Sequence, residues 1–568
     1  MKVIIKGKNA VDLNDTKDFI AEGGEGRIYE KNGVIFKIYF DQKKVIPYEK
    51  IVELSLLNLK NIVRPIDLLL NQKNDPVGFT MNFINNTSPL CKLFTNEFRN
   101  NNNITDEIIV KLVEKMQEVT CFIHDKGGLI VDGNEMNYLV DKMTFTEPYF
   151  IDVDSYQTKN FPATALMPSI KDWHTKGFNI LTDWFAFAIV SCQLFVGIHP
   201  YKGNHQVKSM EERMKSNISI FNKDVRLPKT VRDFSHIPVE FMTWYERLFE
   251  KGERIPPPKV SGLLNVVAVK VKVIQSTNNF EISFIKDFPD EIISVKSIFG
   301  TLYVKTKKEV YVGNAGYPIQ NPSTGMISTQ DGMRSLLYNI KDGKLLFKDV
   351  ISKETIDPEI SCDNTMVVSN TLYAISNGKV RELDITYINN KIMIFVKSQY
   401  DIMPKSSVIF DGFIYQNILG KAYITIPVPT DSHSLSCMYE VNLKELEGYK
   451  VISGKCENRI CSIVGSKNGL YYRFLLKFKD DYSRYEVIEC KEVHLGNNNN
   501  FICLKNGVCV SIDEEDDVNV FFNKYDQKGM TKIQDPDIDS SMSLGNDGMK
   551  VLFYQGKSLY SLEMRKKS

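Results

Sequence analysis

The chain has 568 residues, more than one ordinary domain holds, and its 43% apolar and 25% charged content is that of a soluble globular protein. The 71 Lys and Arg offset 70 Asp and Glu, and the balance holds on both sides of residue 255, so the charge asks for neither nucleic acid nor an anionic membrane. Ten scattered Cys form no C-x-x-C pair, which reads as reduced thiols in a cytoplasmic protein and gives no zinc-ligand spacing.

In chain order, MKVIIKGKNAVDLND carries too short an apolar run for a signal peptide and opens with a strand. Two β-like runs then flank a glycine cluster, Gly23, Gly24 and Gly26, and the second, Gly33 to Tyr39, carries Lys37 at the centre of an alternating apolar strand. Burying a lysine there is costly without an anion, which favours a phosphate partner. Tyr48 to Lys60 has helical spacing and places Glu49 and Glu53 one turn apart. A core strand follows at Gly78 to Ile84, holding Met81, Asn82 and Phe83. Asp106 to Lys126 is again helical and runs through His124.

The stretch from Cys121 to Gln157 holds Asp132, then Asn137 five residues on, then Asp152 after the apolar Tyr149-Phe150-Ile151. Phosphoryl transfer to a hydroxyl needs a carboxylate to orient the attacking oxygen and accept its proton, and hard oxygen ligands for Mg²⁺. Further on, the apolar run Trp184 to Ile198 is too short for a bilayer and reads as a buried helix. Trp244 to Arg254 is a last helix, and Pro256-Pro257-Pro258 marks a domain boundary, because consecutive prolines stop a helix and stiffen a linker.

These segments, in this order over about residues 15 to 256, resemble the protein-kinase pattern. The resemblance implies a bilobal α+β kinase-like domain over 1–256 that takes ATP and Mg. Gly23, Gly24 and Gly26 would cover the phosphates. Lys37 would contact them, held by a helix glutamate, Glu49 in preference to Glu53. Met81, Asn82 and Phe83 would form the hinge that reads adenine. Asp132 would be the base, and Asn137 and Asp152 the metal ligands. His124 would be structural, and Asp183 would hydrogen-bond the backbone of the catalytic loop. The motif Asp152-Val153-Asp154-Ser155-Tyr156-Gln157 is most similar to divergent bacterial and phage kinase-like proteins.

Against the same pattern, Ala21 stands at the first glycine, Ile130 and Val131 replace His-Arg, and Asn134 replaces the lysine that neutralises the transferring phosphate. Asp154 replaces a glycine, and Ser169 leaves Arg254 without its usual partner. The Asn134 and Asp154 departures make catalysis less secure than nucleotide binding.

From Val260 the pattern changes to short runs rich in Val, Ile, Tyr and Phe between Asn-Gly, Asp-Gly and Gly-Lys turns, the signature of antiparallel hairpins. A turn-apolar-Tyr unit recurs at 300, 335, 370, 412, 468, 506 (ending in Cys509) and 557, with spacings of 35, 35, 42, 56, 38 and 51 residues. Spacings near 40 suit one four-stranded blade each, so residues 257–568 resemble an all-β propeller-like domain of six or seven blades, with a pair of β-sandwiches as the other architecture. His433 and His494 read as solvated residues beside turns. The chain as a whole reads as a multidomain, ATP- and Mg-dependent Ser/Thr kinase-like phosphotransferase. Its C-terminal domain would recruit or sense a protein partner, and no oligomeric state is implied. A nucleotide-binding pseudokinase scaffold and a purely structural interaction protein are the other two readings.

Overall fold

The computed structural model describes residues 1–258, 279–429, 436–496, 498–527 and 529–565. It is multidomain: an α+β part comes first and an all-β part follows. The α+β part opens with strands β1 (Lys2–Ile5), β2 (Ala10–Asp12), β3 (Phe19–Glu22), β4 (Gly26–Lys31) and β5 (Val34–Tyr39). Helix α1 (Tyr48–Leu54) and strands β6 (Leu68–Leu70) and β7 (Pro76–Asn82) complete a seven-stranded sheet of order β2-β1-β6-β7-β5-β4-β3. Strand β8 (Thr87–Pro89), helices α2 (Asn96–Asn101) and α3 (Asp106–Asp125), and strands β9 (Tyr138–Asp141) and β10 (Pro148–Phe150) follow, with the strands forming a small sheet of order β10-β9-β8. Helices α4 (Ile180–Val196), α5 (Met210–Lys215) and α6 (Val239–Phe249) close this part.

Helix α3 buries the stripe Ile109, Leu112, Val113, Met116, Val119 and Ile123, while Asp106 and Glu107 complement the dipole in its first turn. Helix α4 is buried from Thr182 to Val196. It starts at a capping box of Asn179 and Thr182 and stops at Gly197, whose φ of +85° suits glycine. Among the described residues, no helix is long and apolar enough to cross a membrane. After α6 the chain folds back, since Trp244 donates to the Ile255 carbonyl (3.1 Å) and Gln117 to the Pro258 carbonyl (3.0 Å).

The all-β part contains, among the described residues, seven four-stranded antiparallel sheets. Six are consecutive meanders. The seventh joins Ser543–Asn546, Val551–Gln555 and Ser558–Met564 to the part's first described strand, Phe280–Asp287. Every neighbouring pair shares its own apolar cluster, from Val310 and Leu337 between the first and second sheets to Leu552 and Val295 between the seventh and first. The sheets therefore close into a ring. The recurring tyrosine unit falls on the second strand of five sheets but on the third strand of the fifth (Leu470–Phe478) and seventh (Ser558–Met564), which accounts for the uneven spacings around them. His433 lies outside the described residues.

The two parts share a core. Ile452, Val464, Tyr471, Val493 and Leu495 of the fifth sheet and the segment after it join the apolar cluster built on α3, α4 and α6. Glycine matters at β7, where a Cβ on Gly78 would stand 1.9 Å from the Lys37 carbonyl oxygen, whereas one on Gly23 meets nothing within 4 Å. Gly78→Ala is therefore expected to cost about 2 kcal/mol by overpacking, and Gly23→Ala less than about 0.5 kcal/mol. Urea denaturation of the two variants checks the difference.

Candidate active site

Strand β5 points Lys37 into the interior, where its ammonium is 2.9 Å from Asp152 Oδ1 and 2.7 Å from Asp154 Oδ2. The Tyr39 hydroxyl donates to the same Asp154 oxygen at 2.5 Å. Burial works against the Lys37 charge, but Asp154 and Asp152 outweigh it and hold its pKa well above the ordinary lysine range. Crowding around the Asp152 carboxyl and the charge of Asp154 beside it push the Asp152 pKa up, with Lys37 acting in opposition.

The expected Lys37–Glu49 pair does not form. Glu49 is exposed on α1, Glu53 is bound to Asn160 at the surface, and the inward position of that helix is occupied by Lys50, which donates to the Asp154 carbonyl at 2.8 Å. Helix α1 stops at Leu54 rather than Lys60, so it is nearly two turns shorter than the sequence spacing suggests. Asp154, read from the sequence as a loss of glycine, takes the role expected of the helix glutamate.

The Ile151 N–H donates to the Asn137 carbonyl at 3.0 Å, which sets Asp152 beside the loop of Asp132 and Asn137. Buried Asp183 organises that loop, accepting from the Ile130 N–H (2.8 Å), the Val131 N–H (2.9 Å) and His124 Nε2 (2.9 Å). These bonds hold β-branched Val131 at a φ of +62°, a costly backbone state directly before Asp132. Asp152 is also left-handed, at +61°. The Asn137 side-chain amide donates to the Asp132 carbonyl at 2.9 Å, which leaves its oxygen as a ligand atom. Asp132 Oδ1 accepts from the Met167 N–H at 2.8 Å, which leaves Oδ2 as the other acceptor of this carboxylate. The free oxygens of Asn137 and Asp152 are hard donors of the kind Mg²⁺ takes, and the donor set fits that ion.

The glycine turn fits a phosphate cover in part. Gly23 and Gly24 face open space, while the Gly23 N–H already closes the turn onto the Gly26 carbonyl at 3.0 Å. Gly26 serves packing, since a Cβ there would lie 2.2 Å from the Ile38 carbonyl. Of the hinge residues, Met81 and Asn82 pair with Ile35 and Val34 inside the sheet, and the Phe83 N–H donates to the Gly33 carbonyl at 3.2 Å. The Phe83 donor is therefore not free to read adenine. Arg254 also has a partner, forming a bidentate pair with Asp172 at 2.7 Å in both bonds.

The fifth sheet of the ring reaches this site. The Tyr471 hydroxyl donates at 2.7 Å to Glu135, on the single 3-10 turn Glu135–Asn137, and a Cβ on Gly469 would collide with Met167 and Ser169. A cavity of about 20 Å³, room for one water, lies between the parts and is lined by Glu135, Gln193, His199, Tyr471 and His494. Rather than being solvated, His494 has a buried Nδ1 with no partner among the described residues. His199 donates Nε2–H to the Ser169 carbonyl and accepts from the Tyr201 N–H, the pattern of a neutral ring. Burial lowers both histidines to about 3, helped at His494 by Lys202 and opposed at His199 by the Ser169 bond.

Two predictions follow from this geometry. Asp154→Ala strands part of a buried ion pair and is expected to cost about 3 kcal/mol, against less than about 0.5 kcal/mol for Glu49→Ala, as read by urea denaturation. For the histidines, the unfolded chain takes up protons near pH 6.5 while the folded one does so near 3. Their stabilisation is thus complete above the unfolded value and is lost as pH falls, by about 2 kcal/mol each at pH 5. His494→Gln should flatten the fall in melting temperature between pH 7 and 5.

Among solved structures, the chain is distantly similar to the autoinhibited serine kinase domain of the giant muscle protein titin, at 15% identity and a TM-score of 0.32, covering 45% of this chain and 77% of that one. It is also similar to the β-propeller domain of Nup133 from Vanderwaltozyma polyspora, at 13% identity and a TM-score of 0.34, covering 52% and 99%. No family model matches the sequence, and no curated protein does.

Proposed function

We propose that residues 1–256 are a bilobal protein-kinase-like domain that binds Mg·ATP and transfers a phosphoryl group to Ser or Thr of a protein. Residues 257–568 are a seven-bladed β-propeller that recruits or senses the partner. The observation that carries this reading is the convergence of Asp132, Asn137 and Asp152 on two strained loops, one of them fixed by buried Asp183. Backbone strain of this kind persists where the surroundings over-determine it, and it clusters at functional sites. The Asp-x-Asp-Ser-Tyr-Gln motif supports a bacterial or phage ancestry, and ten free thiols support a cytoplasmic location.

When bound, Mg²⁺ neutralises polyphosphate charge. Asn137 and Asp152 would hold it, and Lys37 lends its ammonium to the same anions. Asp132 orients the acceptor hydroxyl and takes its proton as the acceptor oxygen bonds to the γ-phosphorus. The bond from that phosphorus to the β–γ bridging oxygen breaks, and ADP leaves with the electron pair. One observation favours the scaffold reading instead: the Met167 N–H already holds an oxygen of Asp132.

Wild type is expected to show a Mg·ATP-dependent rise in melting temperature that Lys37→Ala and Asp152→Ala blunt. Asp132→Asn should keep that rise and abolish incorporation of radiolabel from ATP. A wild type that binds Mg·ATP, labels neither itself nor a protein panel, and matches Asp132→Asn is a scaffold.

A further inference from the structure

The carboxylates of Asp132, Asp152 and Asp154 line the site, while its lysines Lys37 and Lys50 are engaged. Lys37 pairs with two of those carboxylates, and Lys50 is bonded to the Asp154 carbonyl. Asn134, inside the catalytic loop, is neutral and caps the Glu135–Asn137 turn by accepting from the Met136 N–H. A polyphosphate entering such an anionic site needs a further cation beyond the metal and Lys37, whose charge is shared with two carboxylates, because its charge is stabilised by preorganised positive groups.

The fifth sheet carries one. Lys450 is in register with Ser466, Ser466 with Tyr471, and Tyr471 with Val493. Residues paired in this way project from the same face of a sheet, and strands are about 4.8 Å apart, so Lys450 starts about 10 Å from Tyr471 on the same face. That face is turned to the α+β part, because Tyr471 is bonded to Glu135 and Val493 is buried in the shared core. Solvent reaches the Lys450 side chain, and among the described residues none pairs with its ammonium. Its surroundings are crowded enough to lower its pKa, against the pull of Cys91, Asp152 and Glu135. The register therefore places Lys450 on the sheet face that meets the Glu135–Asn137 turn.

We infer that Lys450, carried in by the fifth blade of the ring, is the cation that meets the nucleotide's terminal phosphates in the cleft, so that the site is completed by the C-terminal part of the same chain. This rests on the nucleotide reading above. It gives the fifth blade a direct part in phosphate recognition and makes the loop's neutral Asn134 intelligible.

The test uses the full chain with Lys450→Met and Lys450→Arg. An exposed, unpaired lysine can be removed with little effect on folding, so both variants should melt with wild type in the absence of nucleotide. Calorimetry with Mg·ATP and with AMP is the direct readout. Lys450→Met should weaken Mg·ATP about tenfold and AMP less than about twofold, as expected for the loss of one charge-assisted phosphate contact, and Lys450→Arg should restore most of the difference. Where radiolabel transfer is measurable, Lys450→Met should slow it about a hundredfold. Wild-type binding of Mg·ATP with unchanged affinity in Lys450→Met overturns the assignment of Lys450 alone. Absence of Mg·ATP binding by wild type overturns the nucleotide reading and the assignment with it.

Discussion

An ammonium buried at the centre of a β-strand has to be surrounded by anions, and this requirement at Lys37 ties the α+β part together. Its two carboxylates come from Asp152 and Asp154, more than a hundred residues along the chain, so the strand meets the loop after β10 across the interior. Lys50 on α1 anchors the backbone of that loop, and Asp183 on α4 anchors the other loop. Asp183 is satisfied by three hydrogen bonds and Lys50 by one to the Asp154 carbonyl, and such pairing is the condition under which a buried charge is tolerated. Val131 and Asp152, two of the non-glycine residues with a positive φ, sit where these anchors act.

Much of this was legible in the sequence because the signals were local. The glycine turn, the buried helix α4 and the boundaries of α3 follow from side-chain period and capping residues, which depend on neighbours a few positions away. Asp183 was legible from its place at the start of α4. The partner of Lys37 was not, because Glu49, Glu53 and Asp154 are all carboxylates, and only the rotation and length of α1 decide which one faces inward. Gly78 was missed for a related reason: its need for a missing Cβ comes from β5 crossing at close range, which no local pattern reports.

In the β part, the alternation of turns and apolar runs was enough to imply repeated four-stranded units, because each hairpin is specified by its own turn chemistry. One tyrosine unit falls in each of the seven sheets described, but on the third strand of the fifth and seventh, which spreads the spacings there. The closure of the ring by Phe280–Asp287 joins residues at opposite ends of the region, a pairing with no sequence-local signature. The same is true of the contact between the parts. Tyr471 reads as another member of the repeat, yet its hydroxyl is bonded to Glu135, two residues before Asn137, and the exposure expected of His494 fails because the segment that follows the strand Tyr485–Val493 lies at that interface.

The pairing of Lys37 with two carboxylates also explains how Asp154 would suit the metal proposed for this site. A divalent ion drawn to Asp152 competes with Lys37 for that carboxylate, and were Asp152 the sole partner, the ammonium would lose its anion as the metal arrived. Asp154 is buried, accepts from both Lys37 and Tyr39, and remains outside the exposed edge that Asp152 offers, where the Asp152 side chain is 38% exposed against 5% for Asp154. One carboxylate is thus free to turn toward an ion while the other keeps the lysine charged and in place. A glycine at position 154 would leave that second task to a helix glutamate, and α1 presents Lys50 where such a glutamate would have to stand. Asp154 and Lys50 are therefore a matched pair: the carboxylate holds the strand lysine, and the helix lysine holds the backbone from which that carboxylate projects.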